Sequence, residues 1–362
     1  MTRPDDGWVR TWGAAPHAPL AAFDPVPPLA GTTLRHVVRV SGGGREVRVR
    51  FTNEYGTTPL VIGAASVALS TPRPLTFSGR TTAVVPAGAP LLSDPVDLVV
   101  PALAELTVSL SLPEPVETAT VHGMGVQTCL LVRGGTTSVP MVVLLSAVEV
   151  RPDAPARTVV VLGDSIADGV GSTPDAHRRW TDRLAERAGP AFFVSNQGIG
   201  GNRVLNGGLG DSASARFDRD VLATPGLGAV IVSEGINDLA VSFGPRLRDF
   251  TDEPVTTDDL IAGYRLLITR GHDRGVPVLA STLTPFEGSD AFTAEGERAR
   301  QVVNAWIRTG GAFDGVLDFD AVWRDPAHPT RIFDAFHEGD HVHGNDDGYR
   351  ALGDSVDLAL FR

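Results

Sequence analysis

Two hydrophobic periodicities share this chain and change over near residue 150, and no single layer of secondary structure accommodates both. Before that point apolar residues recur every second position. In "REVRVRFTN", Val47, Val49 and Phe51 share one face and Arg48 and Arg50 the other. In "ELTVSLSLPE", Leu106, Val108, Leu110 and Leu112 oppose Glu105, Thr107, Ser109 and Ser111. Such alternation marks antiparallel strands with one buried face. Turn clusters "SGGG", "TPRP" and "PAGAP" separate the runs, and no stretch has helical spacing. Residues 1–150 therefore read as an all-β sandwich of jelly-roll type.

The segment "RPDAPAR", 151–157, has the proline and charge of a linker. Over 158–362 short apolar runs ("TVVVLG", "AFFVSN", "GAVIVSEG", "VPVLAST", "DGVLDF") alternate with helical segments. In one of these, Leu260, Ile261, Tyr264, Leu267 and Ile268 form a stripe, with Asp258 placed to cap its start and Gly275 its end. In the last, Tyr349, Leu352, Val356 and Leu360 share a face. Strand–helix alternation predicts βαβ units and an α/β domain with a parallel sheet covered on both sides. A length of 362 residues suits two such domains.

A net charge of −12, spread along the chain, argues against nucleic acid or an anionic membrane as a partner, since both demand a basic face. No run approaches the ~18 apolar residues of a membrane span. The opening "MTRPDDGWVRTWG" has no apolar core behind its charges, so no signal peptide is expected there. The sequence as it stands is expected to be cytoplasmic, or secreted if a leader has been removed. The single cysteine, Cys129 in "TCLLV", reads as a small buried hydrophobe, excluding an internal disulfide or a cysteine-ligated zinc. Oligomeric state leaves no trace in the sequence.

Ligands of open parallel sheets bind beyond the carboxyl ends of the strands. There the first three runs deliver Gly163-Asp164-Ser165, then Asn196 to Asn202 ("NQGIGGN"), then Gly235-Ile236-Asn237-Asp238. A serine in a strand-to-helix turn, with backbone N–H groups and an uncharged amide beside it, suits acyl transfer. Ser165 would attack a carbonyl, and the N–H groups of Ser165 and Gly201 with the Asn237 amide would hold the oxyanion. A base remains to be found. "HEGDHVHGNDD", 337–347, sets Asp340 three residues before His343 and directly before His341. Spacing alone does not choose between these two histidines.

These motifs resemble those of the GDSL, or SGNH, hydrolases. "GDSIADG" resembles their serine motif, "NQGIGGN" their glycine motif, "GIND" their asparagine motif, and "DHVH" followed by "ND-GY" their aspartate–histidine motif, in the family's order over 163–349. The resemblance implies a flavodoxin-like three-layer α/β/α fold. It also implies Ser165 as nucleophile, His343 as base, Asp340 as its partner, and Gly201 and Asn237 as oxyanion donors. No cofactor or metal is expected, and the expected substrate is a small acyl ester. "TLRHVV" and "NEYGTTPL" resemble the β-rich N-terminal domain of a subgroup of actinobacterial GDSL esterases and lipases. Gly344 stands where the family usually has proline, and glycine there is expected to loosen the base.

Three rival functions use the same residues or the same fold: an acyltransferase, a carbohydrate O-acetylesterase, and a binding protein without activity. His337 and His341, with Asp340 and His343, are also a donor set that zinc accepts. Finally, the long polar stretch 241–257 carries Phe243, Leu247 and Phe250, candidates for an acyl-binding wall or lid.

Overall fold

The computed structural model describes residues 7–20, 22–244 and 254–361. The alternating runs of the first part become two stacked antiparallel sheets. One has the order Val9–Gly13, Leu145–Arg151, Gly44–Asn53, Ala89–Leu92, with Val96–Val100 also on Gly44–Asn53. The other runs Thr136–Val139, Cys129–Val132, Thr32–Arg39, Glu105–Leu112, Ala64–Ala68, Arg73–Pro74. Val47, Val49 and Phe51 face Leu106, Val108, Leu110 and Leu112 across a common core, all eclipsed from solvent. Among the described residues no helix precedes Ser165. The β-sandwich reading therefore matches the observed architecture.

Only residues 152–156 separate the last antiparallel strand from β1 (Arg157–Gly163). A parallel sheet follows, of β1, β2 (Phe192–Gly198), β3 (Leu227–Ser233), β4 (Val278–Ser281) and β5 (Gly315–Leu317). Its order is β2-β1-β3-β4-β5, the flavodoxin-like arrangement. Strand periodicity explains the layers. Val159 and Val161 point to one face, which packs on α2 (Trp180–Ala188) and α8 (Asp346–Ser355) through Trp180, Leu184, Tyr349 and Leu352. Val160 and Leu162 point to the other, which packs on α5 (Thr257–His272) and α6 (Ala294–Thr309) through Leu260, Tyr264, Leu267, Val303 and Ile307. Both faces are covered, as continuous apolar strands require.

Two helix ends differ from the sequence expectation. Thr256, not Asp258, caps α5: its hydroxyl accepts from Asp259 N–H (3.1 Å) while Asp259 accepts from Thr256 N–H (2.9 Å). This reciprocal capping box satisfies two donors, whereas Asp258 sits inside the first turn. At the other end α8 stops at Ser355, and Leu360 lies in a separate 3₁₀ turn, Leu358–Phe361.

The β-rich part is packed hard against the α/β part. Arg10 reaches Glu149 (3.3 Å) and Thr224 (3.0 Å), and Phe193 of β2 belongs to the core of the sandwich. No helix is long and apolar enough to cross a membrane among the described residues.

Candidate active site

β1 ends in Gly163, and the chain turns at Asp164 into the short helix α1 (Ser165–Asp168). Asp164 caps that helix by accepting from Ile166 N–H (2.9 Å), which fixes the turn and presents the Ser165 hydroxyl above the sheet. Far along the chain, Asp340 folds the loop before α8 around its own carboxylate. Its Oδ1 accepts from the N–H groups of Val342 and His343, both at 2.9 Å, and its Oδ2 takes His343 Nδ1–H at 2.5 Å. With Nδ1 carrying the proton, Nε2 is the acceptor, and Ser165 Oγ–H lies 2.8 Å from it. Three hydrogen bonds hold the Asp340 carboxyl down to about 2 against the opposing effect of burial.

The family's usual proline would have stiffened this loop through its ring, and Gly344 was expected to loosen it. The structure shows a different restraint. Gly344 is buried, and a Cβ there would lie 2.6 Å from the Trp323 ring. Trp323 is itself pinned by its Nε1–H on Gly348 O (2.9 Å). Packing, rather than a ring in the backbone, immobilises the residue after His343.

The two residues expected to act as further donors are Gly201 and Asn237. Gly201 takes a left-handed φ of +71°, open to glycine without strain. Among the described residues neither its N–H nor that of Ser165 meets an acceptor. Asn237, at the start of α4 (Ile236–Phe243), donates one amide hydrogen to Asn202 O (3.0 Å), and its second amide hydrogen meets no acceptor among the described residues. The structure thus joins Ser165, His343 and Asp340 in one hydrogen-bonded chain and puts Asn237 with His343 in the lining of one cleft.

Next to them opens a cleft of about 520 Å³ lined by Ile236, Asn237, Ala240, Phe286 and residues 288–291 and 339–343. Phe243 is not in its lining; it ends α4 and packs on the core shared with α6. Leu247 and Phe250 lie outside the described residues. His341 does line the cleft, its ring 4.4 Å from that of His337. The histidines do not form the donor set considered above. Among the described residues, the group close enough to share an ion is Glu338, Asp340 and His343, within 4.8 Å of one another, and there His343 Nδ1 is already bound to Asp340. Cys129 is buried, which pushes its thiol up to about 12 and leaves it unreactive.

Two features beneath the site were not legible in the motifs. Arg216, in α3 (Ala213–Phe217), is fully buried and ties the strand ends together: it donates to Gly163 O (3.0 Å), Gln197 O (2.6 Å) and Asn202 Oδ1 (3.0 Å), and pairs with Asp220 (3.3 Å). The surrounding stretch, residues 213–222, carries Asp218, Arg219 and Asp220 as well, so nothing in it singles out Arg216. The second is a group of buried carboxyls, Asp164, Glu234 and Asp238. Burial drives Asp164 up to about 7, Asp238 up to about 6 and Glu234 well above the carboxylate range.

Comparison with known proteins now decides the family. The model of the GDSL-like Lipase/Acylhydrolase family matches residues 161–351, more than half of the chain. The chain belongs to that family. Its GDSL hydrolase fold is the parallel sheet described above, and the β-rich region precedes it. Solved structures similar to this GDSL hydrolase include a G-D-S-L family protein from Desulfitobacterium hafniense (18% identity, TM-score 0.43, covering 56% of this chain and 98% of that one). Another is an acetyl xylan esterase variant from Geobacillus stearothermophilus (19%, TM-score 0.44, 55% and 92%). A third is an aryl esterase from M. smegmatis (18%, TM-score 0.41, 55% and 95%). No curated protein matches the chain.

Proposed function

We propose that this hydrolase is a serine carboxylester hydrolase acting through an acyl-enzyme. The observation that carries the reading is the unbroken chain Ser165 Oγ–His343 Nε2 (2.8 Å) and His343 Nδ1–Asp340 Oδ2 (2.5 Å). As Ser165 Oγ attacks the ester carbonyl, its proton passes to His343 Nε2, and Asp340 stabilises the imidazolium that forms. The carbonyl oxygen gains charge between the N–H groups of Ser165 and Gly201 and the free amide hydrogen of Asn237. These donors are already oriented, so little reorganisation is needed when the charge develops. The protonated His343 then gives its proton to the departing alkoxide, leaving Ser165 acylated. Water, deprotonated by His343, attacks the acyl-enzyme and regenerates the serine. The substrate is a small acyl ester, and each step uses only side chains and backbone of this chain.

The test is hydrolysis of p-nitrophenyl esters from acetate to palmitate by wild type, Ser165→Ala and His343→Ala, each with and without EDTA. Loss of turnover in both variants, with no effect of EDTA on wild type, is the expected result. Turnover that survives Ser165→Ala and disappears with EDTA would instead place an ion at Glu338, Asp340 and His343.

A further inference from the structure

Two glycines of the loop after β2 have their side-chain space filled from elsewhere. A Cβ on Gly200 would lie 2.2 Å from the methyl carbon of Met124, and one on Gly201 would lie 2.2 Å from Cδ1 of Leu209. The Gly201 N–H belongs to the peptide joining these two glycines. Met124 and Leu209, both half-exposed, therefore form an apolar edge directly beside an oxyanion donor. This edge lies apart from the cleft of Ile236, Phe286 and His341, whose lining contains neither residue.

Met124 comes from the β-rich part, and its position is built rather than incidental. Its φ of +55° is a left-handed conformation that a side-chain-bearing residue adopts only when its surroundings impose it. The loop is held on both sides of it. His122 Nε2 meets Asp168 Oδ1 at the end of α1 (3.1 Å), and Gly123 N–H donates to His17 Nε2 (2.9 Å). Beyond Met124, Val126 O accepts from Asp175 N–H (3.0 Å) and Thr128 N–H donates to Asp175 Oδ1 (2.8 Å). Yet Met124 belongs to none of the three hydrophobic cores. Strain at a residue that contributes to no core points to a surface it serves.

We propose that Met124 is a specificity-determining residue: it carries an apolar wall from the β-rich part onto the ester site, against which the limb of the substrate lying over Gly200 and Gly201 packs. This rests on the ester-hydrolase reading above. The opposite limb enters the cleft beside Asn237 and His341. A thioether side chain suits such a wall because it adjusts to apolar groups of different shape.

The test compares kcat/KM over two series, p-nitrophenyl esters of increasing acyl length and acetates of alcohols of increasing size. Wild type, Met124→Ala, Met124→Gln and Tyr55→Phe are measured as full chains. Tyr55, also in the β-rich part, bonds Arg219 (2.5 Å) and Asp211 rather than the Met124 loop, and so reports the effect of loosening a contact between the two parts. Met124→Ala is expected to change the ratio between large and small esters by about tenfold or more in one of the series. Met124→Gln, which keeps the length and adds polarity, should disfavour the large apolar esters of that series. Tyr55→Phe should scale every ester alike. Ratios unmoved in both Met124 variants, or a uniform loss matching Tyr55→Phe, overturn the proposal while leaving the hydrolase reading intact. A wild type inactive on every ester, with Ser165 inert to a phosphonate, overturns both.

Discussion

At the level of single residues, the site divides into groups that react and groups that set charge. Replacing Asn237 by alanine removes one of three uncharged donors. We expect kcat to fall roughly 10²- to 10³-fold with KM little changed, measurable by steady-state hydrolysis of one good ester. Asp340→Asn should cost about 10⁴-fold in kcat, because the amide presents its NH₂ to Nδ1 and forces the proton onto Nε2. The buried carboxyls make a different prediction. Folding raises the affinity of Asp164, Asp238 and Glu234 for protons, so the folded state holds protons that the unfolded state has released. Their contribution to stability is complete below the unfolded carboxylate range, near pH 4, and is lost as pH rises through the folded values of about 6 for Asp238 and about 7 for Asp164. Among the described residues neither of the two buried carboxylate oxygens of Glu234 meets a hydrogen-bond partner. Glu234→Gln removes one titrating group, and its melting temperature should decline less steeply between pH 5 and 8 than that of wild type. Equal slopes would mean that Glu234 is solvated or paired when ionised.

At the level of elements, what the sequence makes legible is what period and punctuation encode. The alternation in 45–53 and 105–112 placed buried and exposed faces correctly, because one residue of slip would turn every valine and leucine to water. Three of the four motifs were legible because each follows a short apolar strand, and such strands end at the same edge of a parallel sheet; the fourth, at 340–343, lies well beyond β5 and was read from its own Asp-x-x-His spacing. The cap of α5 was misplaced by two residues: Thr256, Asp258 and Asp259 are all plausible caps, and only the reciprocal bonding of Thr256 and Asp259 selects one. Arg216 was invisible for a deeper reason. A buried arginine earns its place through carbonyls of three other segments, and no local pattern records that. Arg216→Ala leaves those carbonyls without their donor, while Asp220 keeps Arg219 (2.7 Å), so we expect destabilisation of roughly 2–3 kcal/mol by urea unfolding. A parallel loss of kcat should follow, since Gly163, Gln197 and Asn202 support the serine, glycine and asparagine loops.

At the level of the whole molecule, the β-rich part is coupled to the α/β part at the active-site edge. His122 and Asp168 meet there, both buried. Burial disfavours the imidazolium, but the Asp168 charge and hydrogen bond outweigh it, and His122 is raised above the ordinary histidine value. The sign follows: this contact stabilises the fold fully below the unfolded histidine value of about 6.5 and fades as pH rises through the folded one. His122→Gln should therefore lower the melting temperature more at pH 6 than at pH 9, and an equal loss at both would assign His122 a neutral, purely packing role. The predicted effects on turnover presuppose that Ser165 is the nucleophile. The most direct measurement is intact-protein mass spectrometry after a fluorophosphonate is added to wild type, His343→Ala and Ser165→Ala, with peptide mapping of the adduct. A single adduct on Ser165 in wild type, formed far more slowly in His343→Ala and absent from Ser165→Ala, is the predicted result. No adduct on wild type, or one on another residue that persists in Ser165→Ala, would contradict it.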